Sequence, residues 1–311
     1  MKNIDSKADL FKKIVKLGRP QYLVGDFLIF TMGALLAILI SAPFVLNKFL
    51  LGYVILMLAH LSVHYSNDYF DSELDKFNNP TPISGGSGIL VENPELKEFS
   101  KWFSLALMSL SVSLAALFII IFNYPLSYFL FLLFGNLLAW FYTAPPIKLA
   151  YRNLGELSNI IAVIIFLGAG YFTLMGTLNL PFWIFCIPII FFQLIFICSF
   201  EIPDMEGDKL GGKKNLIVSY GRPFGFKIIG ISAILATTSF LLIPYLHIFP
   251  SNINFQILAL ISIISLILGI IELIKRPSAK KIATNFAIIN VATLFLISFL
   301  IDIYFVIIIL K

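Results

Sequence analysis

Apolar residues run along this chain in long unbroken blocks, with neither the alternation of a half-buried strand nor the polar face of a soluble helix. Nine such blocks can be marked, near 22–40, 50–66, 101–122, 126–142, 156–176, 181–199, 226–247, 255–274 and 285–309. A helix that crosses a bilayer takes about 20 apolar residues. Within lipid every backbone polar group must be satisfied inside its own segment, so each block predicts a helix. The pattern therefore predicts an all-α, polytopic membrane protein with nine transmembrane helices. The sixth block, bounded by Pro181 and Glu201, is expected to be the shallowest, with a break at Pro188. No long polar stretch separates the blocks, so 1–311 is expected to form a single membrane domain. Ahead of the first block, Leu10, Phe11, Ile14, Val15 and Leu17 are spaced among lysines. Residues 1–20 thus read as an amphipathic segment lying on the membrane surface. The first block lacks a small-residue cleavage site and more spans follow, so no removable signal peptide is expected.

Composition sharpens this picture. Of 311 residues, 59% are hydrophobic and only 13% charged, against about 25% charged in an ordinary soluble domain. That excludes a disordered chain, a coiled coil and a soluble enzyme. The net charge of +5 invites a nucleic-acid reading, but the distribution of the charge argues otherwise. With nine spans, 20 of the 22 Lys and Arg residues fall on the side of the N-terminus and only Lys48 and Lys311 on the other. The positive-inside rule then predicts a cytoplasmic N-terminus and an extracytoplasmic C-terminus in the cell membrane, and no nucleic acid is needed. Cys186 and Cys198 are twelve residues apart in one predicted helix, about 18 Å along its axis, too far for a disulfide.

The acids are concentrated. The second block ends in His60-Leu-Ser-Val-His64-Tyr-Ser-Asn67-Asp68-Tyr-Phe-Asp71-Ser-Glu73-Leu-Asp75, and the sixth in Glu201-Ile-Pro-Asp204-Met-Glu206-Gly-Asp208. Both ends lie on the predicted cytoplasmic side. If the helices continue, residues three and four apart share a face, so Asp71 and Asp75, like Asp204 and Asp208, form like-charged pairs that repel. Two such pairs facing one cavity need neutralising. Mg²⁺ does this with one or two carboxylates, water and substrate phosphate oxygens. The pattern therefore suggests a Mg²⁺-bridged diphosphate. Lys148, Arg152, Lys209, Lys213 and Lys214 follow the fourth and sixth blocks and are candidates to hold its oxygens. No H-E-x-x-H zinc motif occurs; His60 and His64 read as hydrogen-bonded packing residues or as contacts near the diphosphate or acceptor, and Tyr142 is a further candidate for contact with an acceptor.

Together these residues resemble the UbiA superfamily of intramembrane prenyltransferases, over nearly the whole chain. The family's N-D-x-x-D-x-x-x-D motif stands as Asn67-Asp68-Tyr-Phe-Asp71-Ser-Glu-Leu-Asp75, and its D-x-x-x-D as Asp204-Met-Glu-Gly-Asp208, followed by Gly212-Lys213-Lys214-Asn215-Leu216. Phe200-Glu201 replaces the usual Asn-Asp, and Asn215 a Thr. Tyr142-Thr-Ala-Pro-Pro146-Ile-Lys148 resembles the family's loop after the fourth span. The resemblance implies nine helices around a central cavity with a cytoplasmic cap. It implies Mg²⁺ held by Asn67, Asp68, Asp71, Asp75, Asp204 and Asp208. A polyprenyl diphosphate donor would be bound by Asn67, Lys148, Arg152, Lys209 and Lys213, with Asp71, Asp204 and Lys148 in the catalytic step. The Gly-rich stretch from Asn79 to Gly88 offers backbone N–H groups that can cradle an anion, or a plain turn cluster. It looks like the branch that prenylates 1,4-dihydroxy-2-naphthoate in menaquinone synthesis. A glyceryl ether lipid or a pigment precursor is the alternative acceptor. An ion-coupled transporter also uses intramembrane acids, but near the bilayer midplane. Here only Asp26 and Asp302 lie well inside a block. The D-G-x-x-A-R pattern of CDP-alcohol phosphotransferases is absent.

Overall fold

The computed structural model describes residues 7–78 and 81–311. The described residues hold no strand and twelve α-helices. These are α1 (Lys7–Leu17), α2 (Leu23–Leu39), α3 (Leu46–Asp71), α4 (Ile89–Glu92), α5 (Lys97–Ile121), α6 (Leu126–Trp140), α7 (Gly155–Met175), α8 (Leu180–Leu210), α9 (Leu216–Tyr220), α10 (Arg222–Leu242), α11 (Phe255–Lys275) and α12 (Lys280–Ile309). Nine of them coincide with the nine apolar blocks. Eight are long and apolar enough to cross a membrane, and α6, with 15 residues, is shorter. Its length follows from its flanks. Pro125 precedes its first turn, and Pro145-Pro146 follow shortly after Trp140; proline biases the residue before it away from helix.

Two expectations are corrected. The sixth span is not the shallowest and does not break at Pro188: α8 runs unbroken for 31 residues through both Pro188 and Pro203. Membrane helices tolerate proline where neighbouring elements satisfy the freed backbone groups. Near the second proline, buried Arg222 docks on α8, donating through Nε to the Ile202 carbonyl at 2.9 Å and through Nη2 to Glu206 at 2.5 Å. The second span also continues past residue 66, to Asp71. In both helices the apolar pattern stops before the helix does, because the last turns carry the acids. Residues 1–6, part of the expected amphipathic segment, and Asn79-Pro80 of the Gly-rich stretch lie outside the described residues. The rest of that segment forms α1, with Leu17 buried against Tyr65, Ile89 and Leu90 and Phe11 left exposed.

Packing places the acidic helix ends together. At the centre α2 lies against α7 at very short range. A Cβ on Gly33 would sit 1.9 Å from the Leu167 carbonyl oxygen, and one on Gly170 1.8 Å from that of Phe30. Only glycine admits this approach, which small residues provide wherever membrane helices pack backbone to backbone. The interior is apolar and aromatic, with Phe182, Phe185, Phe240 and Phe305 fully buried. The outer faces are apolar as well: Ile120 and Ile274 are 75% and 77% exposed. That surface suits lipid and not water. The Tyr65 hydroxyl donates to Ile14 of α1, and Lys280 at the start of α12 lies 3.5 Å from Glu206 near the end of α8. The ends of α3 and α8, the start of α12 and α1 therefore share one end of the bundle, called the acidic end below. Asn254 and Tyr304, joined by hydrogen bonds of 2.8 and 3.2 Å, mark the other.

Candidate active site

A cavity of about 390 Å³ opens between α2, α3, α7, α8 and α12. Its acidic end is lined by Asn67, Asp68, Asp71, Asp75, Asp204 and Asp208, so the two acidic motifs face one space. Asp68 and Asp71 sit on the last turns of α3. Asp75 follows on a 3₁₀ turn, Asp75–Phe77, and Asp204 and Asp208 lie one turn apart on α8. Their close approach depends on small residues. A Cβ on Gly207 would fall 1.7 Å from Asn78 Oδ1, and one on Gly211 2.2 Å from Leu74. The glycine between Glu206 and Asp208 thus lets the turn after α3 lie directly on α8.

Crowded carboxylates in a poorly solvated place repel and must be matched by donors. Lys213 lies between the motifs, its ammonium 2.8 Å from Asp71 and 3.9 Å from Asp208. The Tyr151 hydroxyl donates to Asp71 at 2.6 Å, and Asn215 to Asp208 at 3.0 Å. Arg19 pairs with Asp68, which also accepts from the Ser87 hydroxyl. Ser84 Oγ and the Gly85 N–H hold the two oxygens of Asp204 at 2.9 and 2.8 Å. The described part of the Gly-rich stretch therefore does use its donors on anions, and those anions are the protein's own carboxylates. It ties Asp68 of the first motif to Asp204 of the second. Gly86, at φ +71°, has its α-carbon so near Asp75 that a Cβ would lie 2.4 Å from Oδ2.

The charge balance shows in the titration of the groups outside the spans. Burial pushes the Asp75 carboxyl up to about 7, and neighbouring Asp68 adds to the rise against the pull of Lys213. Burial lowers Lys213, but the carboxylates of Asp71 and Asp208 outweigh it and hold the ammonium well above the usual lysine range. Lys213 is thus a fixed positive charge between two acidic helix ends.

A model of the UbiA prenyltransferase family matches residues 27–300. The chain belongs to that family. No curated protein matches it. Solved structures share the fold, three of them as follows. A UbiA homolog from Archaeoglobus fulgidus described with DMAPP and Mg²⁺ is 21% identical, with 96% of this chain and 99% of that chain covered and a TM-score of 0.64. A UbiA homolog from Aeropyrum pernix K1 is 15% identical over 91% and 98% of the two chains, at 0.68. A digeranylgeranylglyceryl phosphate synthase is 19% identical over 95% and 98%, at 0.66.

On this UbiA fold the site residues read from sequence divide into two groups. His60, His64, Asn67, Asp68, Asp71, Asp75, Tyr142, Asp204, Asp208 and Lys213 all line the one cavity. Lys148, Arg152 and Lys209 are exposed and do not line it. Lys148 instead stands over the Tyr151 ring at 5.3 Å, one residue removed from Asp71, and Arg152 donates to the Pro146 carbonyl at 2.9 Å. Sequence reading did not single out Tyr151, Ser84, Ser87 or Asn215 as partners of the acids. Arg19, with Pro20, resembles the family before the first span only as a dipeptide. No periodicity links residues 19 and 68; their pairing is tertiary.

Asn67 has its Oδ1 held by the Thr143 hydroxyl at 2.9 Å, and Tyr142 Oη accepts from Asn159 at 3.5 Å. Among the described residues no three His, Cys, Asp or Glu side chains converge into a ready-made metal cage. Every donor facing the acidic end is nonetheless a hard oxygen, and Mg²⁺ completes its shell with water and phosphate. The donor set fits that ion. Replacing Lys213 by Met is expected to lower the melting temperature in EDTA, because Asp71 and Asp208 lose their shared cation. Added Mg²⁺ should then raise it by more than in the wild type. Equal Mg²⁺ shifts in the two proteins, read by thermal unfolding in detergent, would separate Lys213 from any metal-binding role.

Proposed function

We propose that the protein transfers a polyprenyl group from a prenyl diphosphate to an aromatic acceptor, with Mg²⁺ as cofactor. The observation that carries this reading is the meeting of Asp68, Asp71 and Asp75 with Asp204 and Asp208 at one end of a cavity that also has a long apolar lining. Asn67 and the five aspartates would hold the metal, and Lys213 and Arg19 would meet diphosphate oxygens from the protein side. Mg²⁺ when bound supplies charge stabilisation for the departing diphosphate.

The chain's own residues set the rest. Tyr151 aims Asp71, the Ser84 hydroxyl and Gly85 N–H aim Asp204, and Arg19 with Ser87 aims Asp68. Below them Ile29, Met32, Ile55, Leu56, Ile189 and Phe192 line the cavity. They give a prenyl tail an apolar bed and keep water from the allylic cation left when the C–O bond breaks. Phe166 and Phe196 also line it, and aromatic faces attract such a cation. The short elements at the acidic end, from the 3₁₀ turn at Asp75 through α4 and α9, would cap the site. A 1,4-dihydroxy-2-naphthoate-like acceptor, as in menaquinone synthesis, is the reading of the Gly-rich stretch. A glyceryl ether or pigment precursor is the alternative.

Geranyl diphosphate should bind the purified protein only with Mg²⁺. Asp71→Asn and Asp204→Asn should each cut transfer to 1,4-dihydroxy-2-naphthoate at least 100-fold, or about 2.7 kcal/mol of barrier, with helix content unchanged. Full turnover in both variants would refute the site. The acidic end is placed in the cytoplasm and the C-terminus outside, on the 20-to-2 split of basic residues. Ser251, on the opposite end, tests this. Both native cysteines are buried, so Ser251→Cys should be labelled by a membrane-impermeant maleimide from outside intact cells. Labelling only after the inner face is exposed would reverse the orientation.

A further inference from the structure

Deeper in the cavity, away from the acidic helix ends, lies a second polar pair. Asp26 on α2 and His60 on α3 meet through Asp26 Oδ2 and His60 Nδ1. Both line the cavity. Asp26 is 5% exposed and the His60 side chain 18%, so the carboxylate is shut away while the imidazole keeps an open edge. The Phe166 ring packs edge-on against His60 at 5.1 Å, and the His64 ring lies 4.5 Å away. An acid at membrane depth is costly and is kept for a use. The carboxylates at the acidic end do not use this one. Asn67 and Asp71 lie seven and eleven residues further along α3, about 10 and 16 Å down the helix axis.

A carboxylate bound to one ring nitrogen fixes the histidine tautomer. With Nδ1–H donating to Asp26, the lone pair stands on Nε2, and the carboxylate stabilises the imidazolium that forms when Nε2 takes a proton. This is the division of labour of an aspartate–histidine base. Resting on the prenyl-transfer reading above and its hydroxyarene acceptor, we infer that His60 is the catalytic base toward the acceptor hydroxyl and Asp26 its positioning residue.

The separation along α3 suits that acceptor. O-prenylation of an aliphatic alcohol needs its base at the reacting oxygen, next to the carbon that leaves the diphosphate. A base set back from the diphosphate end serves a nucleophile that carries charge across itself. In a hydroxyarene the hydroxyl proton goes to His60 Nε2, and the oxygen electron pair moves into the ring. A ring carbon then bonds the prenyl C1 as the C1–O bond breaks, and that electron pair leaves with the diphosphate. The ring carbon releases its proton to the departing diphosphate, while the ring oxygen regains its own from the imidazolium. His60 ends neutral, and the one proton lost from the ring leaves on the diphosphate.

The test uses 4-nitrophenol as a chromophoric acceptor mimic, with Mg²⁺ and the unreactive donor geranyl S-thiolodiphosphate, at a pH below the phenol's ionisation in solution. The wild type should develop the phenolate absorbance on binding; His60→Gln and Asp26→Asn should not, while both bind the donor analogue as the wild type does. In transfer from geranyl diphosphate to 1,4-dihydroxy-2-naphthoate, His60→Gln should lose about 10²- to 10⁴-fold in kcat, with the KM for the donor unchanged. A phenolate band that survives in His60→Gln, or that never forms in the wild type, would overturn the assignment. Loss of donor binding in both variants would do the same, by showing that the pair only supports the fold. Failure of the wild type to bind the donor analogue with Mg²⁺ is a different result, and it defeats the prenyl-transfer reading itself.

Discussion

Like-charge repulsion between two acidic helix ends, brought together where water is scarce, is the constraint on which the rest of this structure depends. Asp68, Asp71, Asp75 and Asp208 are each at most 9% exposed, and Asp204 faces the same space. Unmatched, such a group would drive the ends of α3 and α8 apart. The structure matches it from several directions at once. Lys213 spans Asp71 and Asp208, Arg19 reaches Asp68 from before α2, and the segment from Ser84 to Ser87 spends its hydroxyl and backbone donors on Asp68 and Asp204. These contacts close the acidic end and hold the carboxylates in one orientation. A diphosphate and its metal would enter a place already aimed at them.

The helices meet this constraint through their smallest residues. Gly207 and Gly211 let the turn after α3 rest on α8, and Gly33 with Gly170 bring the α2 and α7 backbones into contact behind the cavity. Because α2 is held so tightly, Asp26 and Arg19, on and just before that helix, are both carried to the cavity wall. One packing contact thus supplies a counter-charge to the first motif and a carboxylate to His60. The cavity thus carries two polar regions along α3 beside an apolar lining, which suits a substrate pair with one charged head, a long tail and a ring.

Much of this was legible in the sequence because its signals are local. The nine blocks marked nine of the helices, and most of their ends within a few residues, since lipid demands an unbroken apolar run. The two motifs were legible because i, i+4 spacing puts their acids on one face, and both sat at ends predicted to share a side. What escaped was of two kinds. Helix ends were cut short at residues 66 and 199 because hydropathy falls where the acids begin, although α3 and α8 carry on to Asp71 and Leu210. Pro188 was read as a break because the rule for helix-breaking prolines comes largely from water, where a freed carbonyl has other partners. The counter-charges were the second kind. Lys209 is nearer the second motif in sequence than Lys213, yet of the two only Lys213 turns inward, and Arg19 is 49 residues from its partner. Which lysine faces a cavity is decided by packing, and one chain's sequence does not display it.

The central claim is that both acidic helix ends grip one metal-bound diphosphate across a shared gap. Mn²⁺ in place of Mg²⁺, with geranyl S-thiolodiphosphate bound, tests it directly by electron–nuclear double resonance. The account predicts phosphorus hyperfine coupling from the diphosphate, lost both in Asp71→Asn and in Asp204→Asn. Phosphorus coupling that persists unchanged in either variant would show that one helix end holds the metal alone, and would contradict it.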